Sequence, residues 1–144
     1  MTRSARLAVV IDMARKNEEQ AAKKLEQCRQ SYQAHHQRLE ELNNYYHDYD
    51  MRFKQNIQGV RANDFAAKRF FLGQLSTLID QQKNTLNQVE ITLEKARQEW
   101  QQCHLKSENL QRFVADLKRC EVQIADKIEQ YKIDEWVTQN YKPR

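Results

Sequence analysis

From residue 72 to residue 131 an apolar site recurs at alternating steps of three and four without losing register. The sites are Leu72, Leu75, Ile79, Gln82, Leu86, Val89, Leu93, Ala96, Trp100, Cys103, Ser107, Leu110, Val114, Leu117, Glu121, Ile124, Ile128 and Tyr131, and all but Gln82, Ser107 and Glu121 are apolar or aromatic. A mean spacing of 3.5 residues is the period of a coiled-coil seam, because slight supercoiling keeps such a stripe facing a partner helix along its length. No proline precedes Pro143, and Gly73 is the lone glycine in the stretch, so nothing forces a break. The pattern predicts a single helix over about 64–140, on the order of 115 Å long at 1.5 Å per residue.

A helix with one apolar stripe needs a second to cover it, and the first part of the chain supplies one. The same stepping reads Leu7, Ile11, Ala14, Glu18, Ala21, Leu25, Cys28, Tyr32, His35, Leu39, Leu42, Tyr46, Tyr49 and Phe53, with only Glu18 and His35 out of character. This predicts a first helix over about 4–58, with Ser4 as its N-cap. Between the two lies the predicted turn, about 59–63, where Gly59 suits a left-handed C-cap and Asn63 or Asp64 can cap the second helix. Two glycines in 144 residues leave no material for more turns, and 31% charged residues belong to the long-helix class. A short connection makes antiparallel neighbours. The expected fold is therefore all-α, one domain over 1–144, with two long helices in an antiparallel coiled-coil hairpin and the second helix longer.

Folding the chain about residue 61 sets Phe53 opposite the Arg69 region and Leu7 opposite about Ala115. Residues from about 116 to 140 then have no companion within the chain, although their stripe continues through Leu117, Ile124, Ile128 and Tyr131. A lone helix of this kind is marginal in water, so an external partner is expected to cover it. Near the turn there is a second excess of apolar residues. Tyr45, Phe70, Phe71 and Leu78 lie off the seams, and the pairing brings Leu42, Tyr45 and Tyr49 alongside Leu75, Leu78 and Phe71. That composition suits either an interface hot spot or a thicker local core.

Charge and chemistry narrow the functions. The net charge is +4, but Lys and Arg are interleaved with Asp and Glu, so no basic stripe for nucleic acid forms. Cys28, Cys103 and Cys120 lack metal-ligand spacing, and His35, His36, His47 and His104 form no spaced set with them. There is no phosphate-binding glycine loop, and a two-helix rod has no concave pocket. Neither catalytic residues, a cofactor nor a metal site is expected. The apolar run Leu7 to Ile11 is too short for a signal segment, and no stretch approaches the ~20 apolar residues of a membrane span. The reading is a non-enzymatic, cytoplasmic protein with reduced thiols and no direct membrane insertion.

The hairpin with a longer second helix carries, in order, Leu42, Tyr45 and Tyr49, then Phe71-x-x-x-Leu75-x-x-Leu78-x-x-x-Gln82, then Trp100 in Ala96-Arg-Gln-Glu-Trp100, and then Gln130-Tyr-Lys132-Ile-Asp134-Glu135. In these motifs the whole chain resembles the FliJ family of soluble components of the bacterial flagellar type III export apparatus. The likeness implies a stalk-like rod whose helix ends enter the ring of the export ATPase FliI, with Arg15, Lys23, Lys24, Ile124, Ile128 and Tyr131 as ring contacts. It also implies contact with the export gate protein FlhA through Leu42, Tyr45, Tyr49, Phe71, Leu75, Leu78 and Gln82, and escort of export chaperones. Leu78 is bulkier than the small residue expected there, and Gln82 also departs from the pattern. The implied location is the cytoplasm, peripheral to the inner face of the cell membrane. A stalk protein of a virulence-type injectisome and a homodimeric structural coiled coil are the alternatives.

Overall fold

The computed structural model describes residues 2–55 and 61–141. Two helices account for nearly all of them, α1 (Arg3–Gln55) and α2 (Ala62–Asn140), and no strand occurs among the described residues. Gly73 does not interrupt α2, and its surroundings are open. The chain forms two compact units, one of Met1–Gln20 with Gln101–Arg144 and the other of Ala21–Trp100. In each unit a stretch of α1 runs antiparallel to a stretch of α2, since partner numbers fall on α2 as they rise on α1.

In the unit of 21–100, Leu72, Leu75, Ile79 and Ala96 form the buried apolar core. Each buried Leu or Ile contributes roughly 1.5–3 kcal/mol. The seam also holds a buried polar residue, Gln82, whose amide donates to the His35 carbonyl at 3.0 Å and sits 3.2 Å from His35 Nδ1. The odd residue of one seam has met the odd residue of the other. An exposed Lys24–Glu99 pair at 3.2 Å adds little. Close to the end of α1, Phe53 packs on Phe65 with ring centroids 5.0 Å apart. That corrects the expected pairing of Phe53 with the Arg69 region by about one helical turn.

The unit of 1–20 with 101–144 repeats the logic. Ala14 and Val114 are buried, together with the polar Ser4 and Ser107. Glu18, the other exception on the α1 seam, accepts a 2.6 Å hydrogen bond from His104 Nδ1. That hydrogen bond is the chief cause of its lowered pKa, working against partial desolvation, and the Ser107 hydroxyl lowers it further. His104 is raised in turn, first by the Glu18 bond and also by Glu108, whose carboxylate lies 3.3 Å from Nε2. Glu121, the last polar seam site on α2, accepts from the Ser4 hydroxyl at 2.6 Å and from the Ser4 amide at 3.2 Å. All three polar interruptions of the α2 seam are thus matched across the interface, the device by which a polar seam residue fixes register.

Several expectations about helix ends need correction. Ser4 is not the N-cap of α1. Thr2 is, through a 3.3 Å bond from the Ala5 amide to its hydroxyl, and Ser4 lies within the first turn, where Glu121 satisfies its otherwise unpaired amide from the opposite helix. α2 starts at Ala62, so Asn63 and Asp64 are in its first turn instead of preceding it; Asp64 there complements the positive end of the helix dipole. Gly59 and the end of α1 expected to run to residue 58 lie outside the described residues. The unpaired part of α2 begins later than residue 116, because Leu117 and Glu121 are still half-buried and Glu121 is bonded to Ser4. From Val122 to Tyr141 every residue is exposed.

Candidate functional site

Two surfaces carry the residues expected to meet partners, one in each unit. In the unit of 21–100, Tyr45 and Tyr49 are one helical turn apart on α1, so their side chains stack on one face with centroids 6.5 Å apart. The antiparallel α2 brings Phe71 between them, 4.8 Å from Tyr49 and edge-on to Tyr45 at 6.4 Å. One turn further along, Leu42 and Leu78 flank an open groove with His35, Arg38, Gln81, Gln82 and Thr85. Aromatic cluster and groove are adjacent because 42, 45 and 49 descend α1 as 78, 75 and 71 descend α2.

The seven residues assigned to the gate contact are thereby gathered together, but not equally presented. Tyr45 is 54% and Leu78 52% exposed, and Leu42, Tyr49 and Phe71 are half-buried. Leu75, at 5%, and Gln82, at 8%, belong to the core. Their seam positions require this. The surface open to a partner is therefore Tyr45, Leu78 and the outer edges of Leu42, Tyr49 and Phe71. The neighbouring Phe70 is exposed as well, and Arg38 joins the groove at one turn before Leu42. Arg38 was legible in the sequence through its i, i+4 relation to Leu42, although no seam pattern marks it.

In the other unit, Ile124, Ile128 and Tyr131 are all more than half exposed, on a stretch of α2 that has outrun α1. Their exposure follows from the register, since Ser4 already faces Glu121. Ile133, Trp136 and Val137, which the seam pattern does not mark, are exposed too, on the opposite side of the helix. Their i, i+3, i+4 spacing is the signal that would have found them. Arg15 is exposed in this unit. Lys23 and Lys24 lie in the unit of 21–100, Lys23 exposed and Lys24 engaged with Glu99. Cys28, Cys103 and Cys120 are free thiols. Among the described residues no group of His, Cys, Asp and Glu is placed to hold a metal ion, and no helix is long and apolar enough to cross a membrane.

A family model described as Flagellar FliJ protein matches residues 3–144. Comparison with curated proteins and with solved structures gives no match.

Proposed function

Because the chain belongs to the FliJ family of flagellar export proteins, we propose that it is a non-catalytic, stalk-like component that couples the export ATPase ring to the export gate and escorts export chaperones. In this reading Ile124, Ile128 and Tyr131 enter the FliI ring, with Arg15, Lys23 and Lys24 as long-range partners for acidic groups of its bore. Tyr45 and Leu78, framed by Leu42, Tyr49 and Phe71, meet FlhA, and Leu75 and Gln82 support that surface from beneath. The protein works in the cytoplasm, peripheral to the membrane.

The observation that carries the reading is the continuation of α2 past Glu121 as a helix with no companion among the described residues and with an exposed apolar stripe. A contiguous apolar stripe left in water marks an interaction surface, and the helix that carries it is marginal until covered. A chain ending after Val122 keeps the Ser4–Glu121 contact and every paired layer, so it stays folded, and it loses stimulation of the cognate ATPase. Steady-state ATP turnover at matched concentrations decides this. Equal stimulation by truncated and full chains would sink the stalk mechanism, and sedimentation that shifts only for the full chain would point to a homodimer.

A further inference from the structure

The unit of 1–20 with 101–144 carries a second apolar surface that the stalk reading does not use. On α2, Gln102, Lys106 and Leu110 form one row at i, i+4, i+8, and Leu105, Asn109 and Phe113 form the next. An open groove runs between them. Two such rows with a furrow between are the half of a helix–helix contact that receives the ridge of another helix. Leu105 and Phe113 are about half exposed in it.

α1 extends this surface. Gln102, Lys106, Asn109 and Phe113 each precede a seam site, namely Cys103, Ser107, Leu110 and Val114. On α1 the residues preceding the seam sites Ser4, Leu7, Ile11, Ala14 and Glu18 are Arg3, Arg6, Val10, Met13 and Asn17. One residue is about 100° of helical turn, and in antiparallel helices an equal turn from the shared seam leads to the same side. Val10 and Met13, both exposed, therefore flank the furrow from α1 as Phe113 does from α2. The charge left without an ion pair on this side is of one sign. Arg3, Arg6 and Lys106 are exposed and make no ion pair among the described residues. The acid on the same stripe, Asp116, is bonded to Arg119 on its own helix.

The geometry points to a docking site for a third helix, an amphipathic segment of a partner protein whose apolar stripe lies on Val10, Met13, Leu105 and Phe113 and whose flanking acids meet Arg3, Arg6 and Lys106. Such a helix completes a three-helix bundle, and the cations select an acidic segment over a basic one. This surface shares no residue with the proposed ring contacts Arg15, Lys23, Lys24, Ile124, Ile128 and Tyr131, and its test is made without the ATPase.

The test uses the full chain and two synthetic amphipathic helices of roughly 20 residues, long enough to hold helical structure. Both carry Leu at i, i+3, i+4, i+7; one is flanked by Glu and the other by Lys. Fluorescence anisotropy is expected to show the Glu peptide binding at least about tenfold more tightly. Phe113→Ser should abolish that preference along with binding. Arg6→Glu with Lys106→Glu should invert it while leaving the circular dichroism melt unchanged. Equal binding of both peptides, or binding indifferent to Phe113→Ser, overturns the proposal. So does a chain that ignores the peptides and instead binds anionic phosphatidylglycerol vesicles, or one that self-associates in a manner lost on Phe113→Ser.

Discussion

Leu75 and Leu78 are the same residue type one helical turn apart, and both fall in the set assigned to the gate, yet one is 5% and the other 52% exposed. Truncating each to Ala removes three carbons. At Leu75 all three are withdrawn from water at about 0.8 kcal/mol each, and a cavity is left among Leu72, Ile79 and their α1 neighbours, so Leu75→Ala should cost ~3 kcal/mol. At Leu78 about half the area is already wet and water fills the space, so Leu78→Ala should cost ~1 kcal/mol or less. For a chain of 144 residues these correspond to roughly 6–12 °C and roughly 2–4 °C in melting temperature. Melts followed by far-UV circular dichroism, beside pull-downs on the cytoplasmic domain of the gate protein, separate support from contact. Leu78→Ala should lose binding with little loss of melting temperature. Equal melting shifts for the two variants would refute the placement of the core, and unchanged binding by Leu78→Ala would remove it from the gate surface.

Three other outcomes are expected. The unit holding Glu18, His104 and Glu121 should be most stable between about pH 4.5 and about pH 6.5. The lowered Glu18 and Glu121 stabilise above their ordinary value of 4.5 and lose that contribution as pH falls through their folded values; the raised His104 stabilises below 6.5 and loses its contribution as pH rises through its folded value. Melts from pH 3.5 to 8 check this, and His104→Gln should flatten the alkaline limb and shrink the acid limb toward the part that Glu121 supplies. Thr2→Ala removes the α1 cap and should cost ~1 kcal/mol, seen as faster amide exchange confined to the first turn. Replacing His35 and Gln82 together by Leu should leave the melt unchanged or higher, because both partners of the bond go together, while spin-label distances between the helices broaden as the register loosens.

The heptad stripes made the two helices legible, because each stripe needs a facing one, and the short connection between them made the antiparallel pairing legible. The aromatic meeting of Tyr45, Tyr49 and Phe71 also followed from the register. What the stripes concealed was the meaning of their own exceptions. Glu18 and His35 counted as misfits on α1, and Gln82, Ser107 and Glu121 as misfits on α2; yet these fold onto one another, with His104 and Ser4 as further partners. The helix ends were misread for a related reason. A hydroxyl at Ser4 fits the local capping pattern, and only a carboxylate far along the sequence moves the cap to Thr2. Exposure within the gate set was settled by seam phase, which already marked Leu75 and Gln82 as inward.

The bond between Ser4 and Glu121 joins residues 117 positions apart, against 86 for Glu18 with His104, 75 for Lys24 with Glu99 and 47 for His35 with Gln82. Closing the widest loop first would cost the most chain entropy, whereas each pair formed nearer the turn shortens the loop left for the next. The order expected from loop entropy is therefore closure from Gln82 outward, with Glu121 last. During synthesis the opening turn of α1 leaves the ribosome 117 residues ahead of Glu121, and the amide of Ser4 waits that long for its partner.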